Sequence, residues 1–189
     1  MKEDIVTPDK ANAEFLAGLS FPLSDSDRDY PALRIGNVIL GGSTLASRLG
    51  DRIRQKDGLS YGATSSFDAS SRDPVASLTV TVSTNPANID KVTAAAMEEL
   101  QRFLKDGPTE KELADAKHAF VEAQKVGRTA DAAIAGQIVS NLNTGRTFAF
   151  AADQEKAILA LTPARVTEAF RKHVDPHRLV IIRAGDFQK

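Results

Sequence analysis

The chain contains no cysteine, which removes disulfides, thiolate nucleophiles and cysteine-ligated zinc at once and leaves the redox compartment open. Nor does it have an excess of positive charge. Its 24 Lys and Arg stand against 25 Asp and Glu, a net of −1, so it lacks the positive field that binding a nucleic acid requires. No stretch approaches the ~20 apolar residues of a membrane span. The opening Met1-Lys2-Glu3-Asp4-Ile5-Val6 lacks the apolar core of a signal peptide, so any targeting segment belongs upstream in a longer precursor. Three histidines are present, His118, His173 and His177, and none sits in the H-x-x-E-H or H-E-x-x-H arrangement that puts two metal ligands on one helical face. His173 and His177 are four apart, yet Pro176 lies between them and breaks the helix that would aim both rings at one ion. They read instead as a helix-end histidine favoured by the dipole and a second one starting a strand. A phosphate-binding G-x-x-x-x-G-K-[ST] loop is missing too. Leu40-Gly41-Gly42-Ser43 therefore reads as a tight corner between helices with Ser43 as the cap, rather than as an anion cradle.

What is present fits one domain spanning residues 1–189. Its 42% apolar and 26% charged content suits a chain with a real core. Ala13, Phe15, Ala17 and Leu19 alternate with Glu14, Leu16 and Gly18, the period of a strand. From Val75 to Thr84 the alternation is cleaner, with Ala76, Leu78, Val80 and Val82 facing one way and Ser77, Thr79, Thr81 and Ser83 the other. Tyr61 to Ala69 is a plausible partner strand, and Arg178 to Ala184 a last one. Half-buried alternation suits a sheet covered on a single face better than a doubly wound parallel sheet, whose strands are apolar throughout. Helices fill the rest. Asn85-Pro86 opens one whose Ile89, Val92, Ala96, Leu100 and Phe103 recur every three to four residues until Gly107-Pro108. Thr109 and Glu112 fit a capping box ahead of Leu113, Ala116 and Phe120. Ile134, Ile138 and Leu142 form another stripe, and Thr162-Pro163 starts a final helix with Val166 and Phe170. The order predicts an α+β fold, an antiparallel or mixed sheet with helices packed on one face. Ser24 to Asp29 reads as a polar loop.

The segment from Leu40 to Tyr61 carries the most chemistry. Leu45, Leu49 and Ile53 at i, i+4 and i+8 predict a core-facing helix, with Arg48, Arg52 and Arg54 pointing elsewhere and Lys56 adding to a basic cluster. Gly58 suits a C-terminal cap, after which Ser60-Tyr61 enters a strand, so Arg54 and Tyr61 belong to adjoining elements. A guanidinium and a phenol are both protonated donors at neutral pH, and together they can grip a peptide carbonyl and stabilise developing oxyanion charge. A plainer reading stands beside this one: a surface Arg54 paired with Asp51 or Asp57, and a half-buried Tyr61.

Leu40-Gly41-Gly42, Ser47-Arg48-Leu49 and the run Arg54-Gln55-Lys56-Asp57-Gly58-Leu59-Ser60-Tyr61-Gly62 resemble the M16 peptidases of the insulinase and pitrilysin type. Asp9 to Ala13, Asp106 to Leu113, Leu161-Thr162-Pro163 and Gly185-Asp186 look like further landmarks of that family in order, so the resemblance covers essentially the whole chain. It implies the non-zinc-binding, C-terminal type of domain of a zinc endopeptidase. Arg54 and Tyr61 match the family's R-x(6)-Y pattern, which reaches toward a peptide substrate held at zinc by a sister domain carrying H-x-x-E-H. By the same resemblance zinc belongs to the sister domain and no metal to this chain, which alone is expected to be inactive. The compartment it suggests is the periplasm, with the cytoplasm as the alternative. Two rival functions share these residues: a non-catalytic, structural or partner subunit of the same family, and a peptide-binding module that adds a ligand strand to a sheet edge without chemistry.

Overall fold

The computed structural model describes residues 1–43 and 46–187. Its five strands are β1 (Lys2–Val6), β2 (Ala13–Phe21), β3 (Gly62–Ala69), β4 (Ala76–Thr84) and β5 (Val180–Gly185). They form one mixed sheet in the order β1-β5-β2-β4-β3, with β1 parallel to β5 and every other pair antiparallel. The registers put Phe15 opposite Val82, and Val82 opposite Ala63, so one face is apolar across three strands. Ala13, Phe15, Ala17, Leu19 and Phe21 on β2 and Ala76, Leu78, Val80 and Val82 on β4 are all buried there. Taking a Phe side chain such as Phe15 fully out of water stabilises by about 1.5–3 kcal/mol. Glu14, Ser20, Thr64, Ser66 and Thr81 lie on the opposite, open face. The sheet is therefore α+β in the sense expected, clothed on one side only.

The last expected strand starts later than its pattern predicts, and β1 is a strand that the pattern does not predict. The last begins at Val180 rather than Arg178, because Pro176–Arg178 closes a 3-10 turn in which the Asp175 side chain accepts from the His177 amide at 2.9 Å. His177 accordingly occupies that turn instead of starting a strand. β1 had no periodic signal, for all five of its residues are exposed. It pairs with β5 through its backbone, and Asp4 takes a bidentate ion pair from Arg183.

The helices are α1 (Tyr30–Asn37), α2 (Ile89–Asp106), α3 (Glu110–Gly127), α4 (Asp131–Thr144), α5 (Phe148–Leu159) and α6 (Pro163–His173), with π-helical segments at Val38–Gly42 and Gly50–Lys56. Asn85 accepts from the Ala87 amide before a 3-10 turn leads into α2, whose Val92, Leu100 and Phe103 are buried. Phe103 meets Phe170 of α6 edge-on, ring centroids 4.8 Å apart. The Thr109–Glu112 capping box is present in both directions at the start of α3. Thr147 caps α5 by accepting from Ala149, a signal that the weakly patterned alanine-rich stretch behind it obscures.

The stripe on α4 does not join the core. Ile134, Ile138 and Leu142 are 36%, 44% and 78% exposed, and Asn141 is the one buried residue that α4 carries. The helical period is present, but among the described residues that face stays exposed. The loop Ser24–Asp29 is polar yet tightly held. Arg146 grips both oxygens of Asp25 at 2.6 Å, and the fully buried Asp29 accepts from Arg165, from Lys172 at 2.7 Å and from the His173 ring at 2.9 Å.

Candidate functional site

Arg54 rides on the second π-helical segment, Gly50–Lys56, which is nailed to the sheet by the fully buried Ile53 and by Leu49. Leu45, whose spacing puts it in the same stripe, lies outside the described residues. The approach to this segment is close. A side-chain carbon on Gly41 would come within 2.6 Å of the Ser65 amide on β3, which explains the glycine without any anion cradle. Ser43 accepts from the Ala46 amide at 3.4 Å but is not the expected cap: the helical turn begins at Arg48, and Ser47 caps it, its hydroxyl accepting from the Gly50 amide at 3.3 Å and its carbonyl from the Asp51 amide at 2.8 Å.

The segment ends through a wide turn. The Asp57 amide donates to the Arg52 carbonyl at 3.1 Å and the Leu59 amide to the Ile53 carbonyl at 2.9 Å. Gly58 between them has φ +61°, the left-handed conformation that an L side chain resists, so the predicted cap is realised. The next two residues, Leu59 and Ser60, are tied onto the end of β4. Thr84 Oγ1 donates to the Leu59 carbonyl at 2.5 Å. Ser60 Oγ donates to the Ser83 carbonyl at 2.5 Å, has the Gly62 carbonyl as a second acceptor at 2.9 Å, and accepts from the Gly62 amide at 3.0 Å. Tyr61, enclosed by these bonds in sequence, projects a side chain that is 100% exposed.

The basic cluster expected here divides. Arg48 does not face solvent: its side chain is 12% exposed, chelates Glu112 with Nε at 2.7 Å and Nη2 at 2.8 Å, and donates to the Gly107 carbonyl at 2.7 Å. Its guanidinium also lies over the Phe103 ring at 5.1 Å. The Arg48 guanidinium pulls the Glu112 carboxyl down to about 2, against the opposing effect of burial. Arg52 bridges Asp57 at 3.0 Å and Glu98 at 3.1 Å. These two arginines fasten helices together. Arg54, half-buried, and the exposed Lys56 are the remaining cations of the run.

The plainer reading of the pair required a half-buried tyrosine, and the full exposure of Tyr61 does not match it. The structure thus brings the elements of Arg54 and Tyr61 together at one end of the sheet, joined through Leu59. A cleft of about 370 Å³ lies nearby among Arg48, Asp51 and Glu112 and includes neither Arg54 nor Tyr61. A phenol so fully in the open forms no enclosed pocket with this chain alone.

The histidines at the end of the chain are engaged elsewhere. His173 closes α6, with its ring bonded to Asp29 and packed 5.4 Å from Phe21, while His177 sits in the turn before β5. Among the described residues no group of three or more His, Asp or Glu is placed to hold a metal ion. None of the described helices is long and apolar enough to cross a membrane. The sequence reading missed the fastening role of Arg48. The signal was available in Glu112, which serves the capping box and the ion pair at once.

A family model described as the peptidase M16 inactive domain matches residues 1–120. No curated protein matches by sequence. Among solved structures, the peptidase M16 inactive domain from Pseudomonas fluorescens is 28% identical with a TM-score of 0.86, covering 97% of this chain and 43% of its own. A protease from Helicobacter pylori is 15% identical with a TM-score of 0.82, over 97% of this chain and 43% of its own. The periplasmic protease PqqL from Escherichia coli is 18% identical with a TM-score of 0.77, over 97% of this chain and 20% of its own. This chain therefore spans less than half the length of each of these three.

Proposed function

Because the chain belongs to the M16 peptidase family as its inactive-domain type, we propose that it serves as the substrate-steadying half of a zinc endopeptidase and performs no hydrolysis unaided. In this reading a sister domain holds the zinc and its water, and the present chain supplies Arg54 and Tyr61 as two donors to a carbonyl of the bound peptide. The observation that carries it is the fully exposed Tyr61 on a backbone tied down on both sides. Solvent-facing tyrosine of that kind has little packing to offer its own domain. A phenol and a guanidinium keep their protons across the neutral range, so they donate to a carbonyl oxygen, and donate more strongly as negative charge builds on it.

The residues on the open sheet face suit a polypeptide neighbour. Thr64, Ser66 and Thr81 are short hydroxyl side chains that can hydrogen bond to main chain of any sequence. We place the protein in the periplasm, in keeping with the compartment of the Escherichia coli neighbour. The deciding experiment is steady-state peptidase kinetics of the complete protein carrying Arg54→Ala or Tyr61→Phe, beside the wild type. Unchanged kinetics in both variants would refute the role given to the pair.

A further inference from the structure

We infer that Thr84 and Ser60 are positioning residues that fix Tyr61, and through Leu59 its relation to Arg54, an inference that rests on the reading of that pair given above. Leu59 is the joint. Its amide is held by the Ile53 carbonyl at 2.9 Å, one residue before Arg54, and its carbonyl is held by Thr84 Oγ1 at 2.5 Å. One peptide segment therefore couples the arm carrying Arg54 to the end of β4.

Thr84 is well chosen for the task. It is 4% exposed, the last residue of β4, and its Cα pairs with Ala13 of β2, so its hydroxyl projects from the interior of the sheet rather than from a mobile rim. Immediately beyond it Asn85 caps the turn into α2. The hydroxyl thus refers the position of Leu59 to two rigid elements. Ser60 completes the clamp. By donating to the Ser83 carbonyl and accepting from the Gly62 amide it closes a small ring around the Tyr61 peptide. The Tyr61 side chain contributes nothing to this hold, being wholly exposed, so its direction is set by the backbone that these two hydroxyls immobilise.

Positioning matters here because a donor aimed at a developing oxyanion loses most of its value when displaced by about 1 Å, at a cost of up to roughly 100-fold in rate. A tyrosine on a freely moving loop would spend most of its time elsewhere. The hydroxyls of Thr84 and Ser60 are the groups that prevent this; Thr84 is buried, and Ser60 Oγ is engaged with Ser83 and Gly62.

The test uses Thr84→Val, which keeps the shape and strand preference of threonine while deleting the hydroxyl, together with Ser60→Ala and the restoring variant Thr84→Ser. In the complete zinc-bearing protein, kcat should fall about 10-fold in Thr84→Val and in Ser60→Ala, with KM changed by no more than about 2-fold, and Thr84→Ser should recover it. In the present chain, ¹⁵N relaxation should show the order parameter of Tyr61 dropping from about 0.85 toward 0.6 in the same two variants. Loss of thermal stability with kcat and the Tyr61 order parameter both intact would overturn the inference, as would a mobile Tyr61 with undiminished kcat. Tyr61→Phe run alongside separates the two levels. Full kcat in that variant refutes the tyrosine's own role, while the relaxation data still decide whether the two hydroxyls hold it.

Discussion

The guanidinium of Arg48 chelates the carboxylate of Glu112 across 64 positions of sequence, with Nε at 2.7 Å and Nη2 at 2.8 Å. The same carboxylate accepts from the Thr109 amide at 2.7 Å, so one side chain caps α3 and anchors the segment leading to Arg54. Glu112→Ala should therefore cost more than a helix cap alone. A double-mutant cycle with Arg48→Ala, read by urea denaturation, should give a coupling of about 1.5–3 kcal/mol. Coupling below about 0.5 kcal/mol would show the pair to be ornamental in energetic terms.

That pair also makes stability depend on acid. The Glu112 carboxyl, ordinarily at 4.5, is drawn down to about 2 in the folded state by Arg48. A depressed carboxylate favours the fold above its unfolded value and ceases to do so as pH falls through its folded one. The stabilisation from Glu112 should be complete above about pH 4.5 and disappear between there and about pH 2. Chemical denaturation from pH 6 down to pH 2 should show this acid slope, and Glu112→Gln should flatten part of it.

Asp29 predicts a larger mechanical loss. Burial alone would raise its carboxyl, but hydrogen bonds from Lys172, His173 and Arg165 outweigh that and hold it well below the usual carboxylate range. Asp29→Ala removes the shared acceptor and leaves the cations of α6 facing one another. The expected cost is about 3–5 kcal/mol, as for breaking a buried ion pair, measured as a lowered denaturation midpoint. A midpoint shift within error would contradict the hub described.

Arg54→Ala and Tyr61→Phe should both depress the activity of the complete protein. Loss of one oxyanion donor commonly costs ~100-fold or more in turnover. Tyr61→Phe should stay within about 0.5 kcal/mol of wild-type stability by chemical denaturation, because the Tyr61 side chain is fully exposed.

Homogeneous preparations of this chain should cleave no peptide, whether zinc is added or chelated. Calorimetric titration with zinc should show no tight site either, since His173 is committed to Asp29 and His177 to a turn. Chelator-sensitive cleavage by the purified chain would overturn the proposed division of labour.

Much of the site was visible in residue order. Gly58 and the run Arg54 to Tyr61 are contiguous, and their turn is closed by bonds spanning five or six residues, so local chemistry specifies it. The clamp on that turn was not visible. Ser60 and Thr84 are ordinary polar residues in sequence, and their partners lie 23 and 25 positions away. Only the pairing of β3 with β4 brings them together.

By itself the sequence determined the elements whose information is short-ranged: the alternation of β4, the capping box of α3, the proline-led starts before α2 and α6, and the stripes on α2, α3, α4 and α6. Period and cap are properties of neighbouring residues, and steric and hydrogen-bonding rules act on them before any tertiary contact exists. Tertiary structure alone decided which stripe is covered, which arginines are spent as fasteners, and that Lys2–Val6, with no buried residue, becomes a strand. Those outcomes depend on groups far apart in the chain, so the same helical period yields a buried face on α2 and a solvent-facing one on α4.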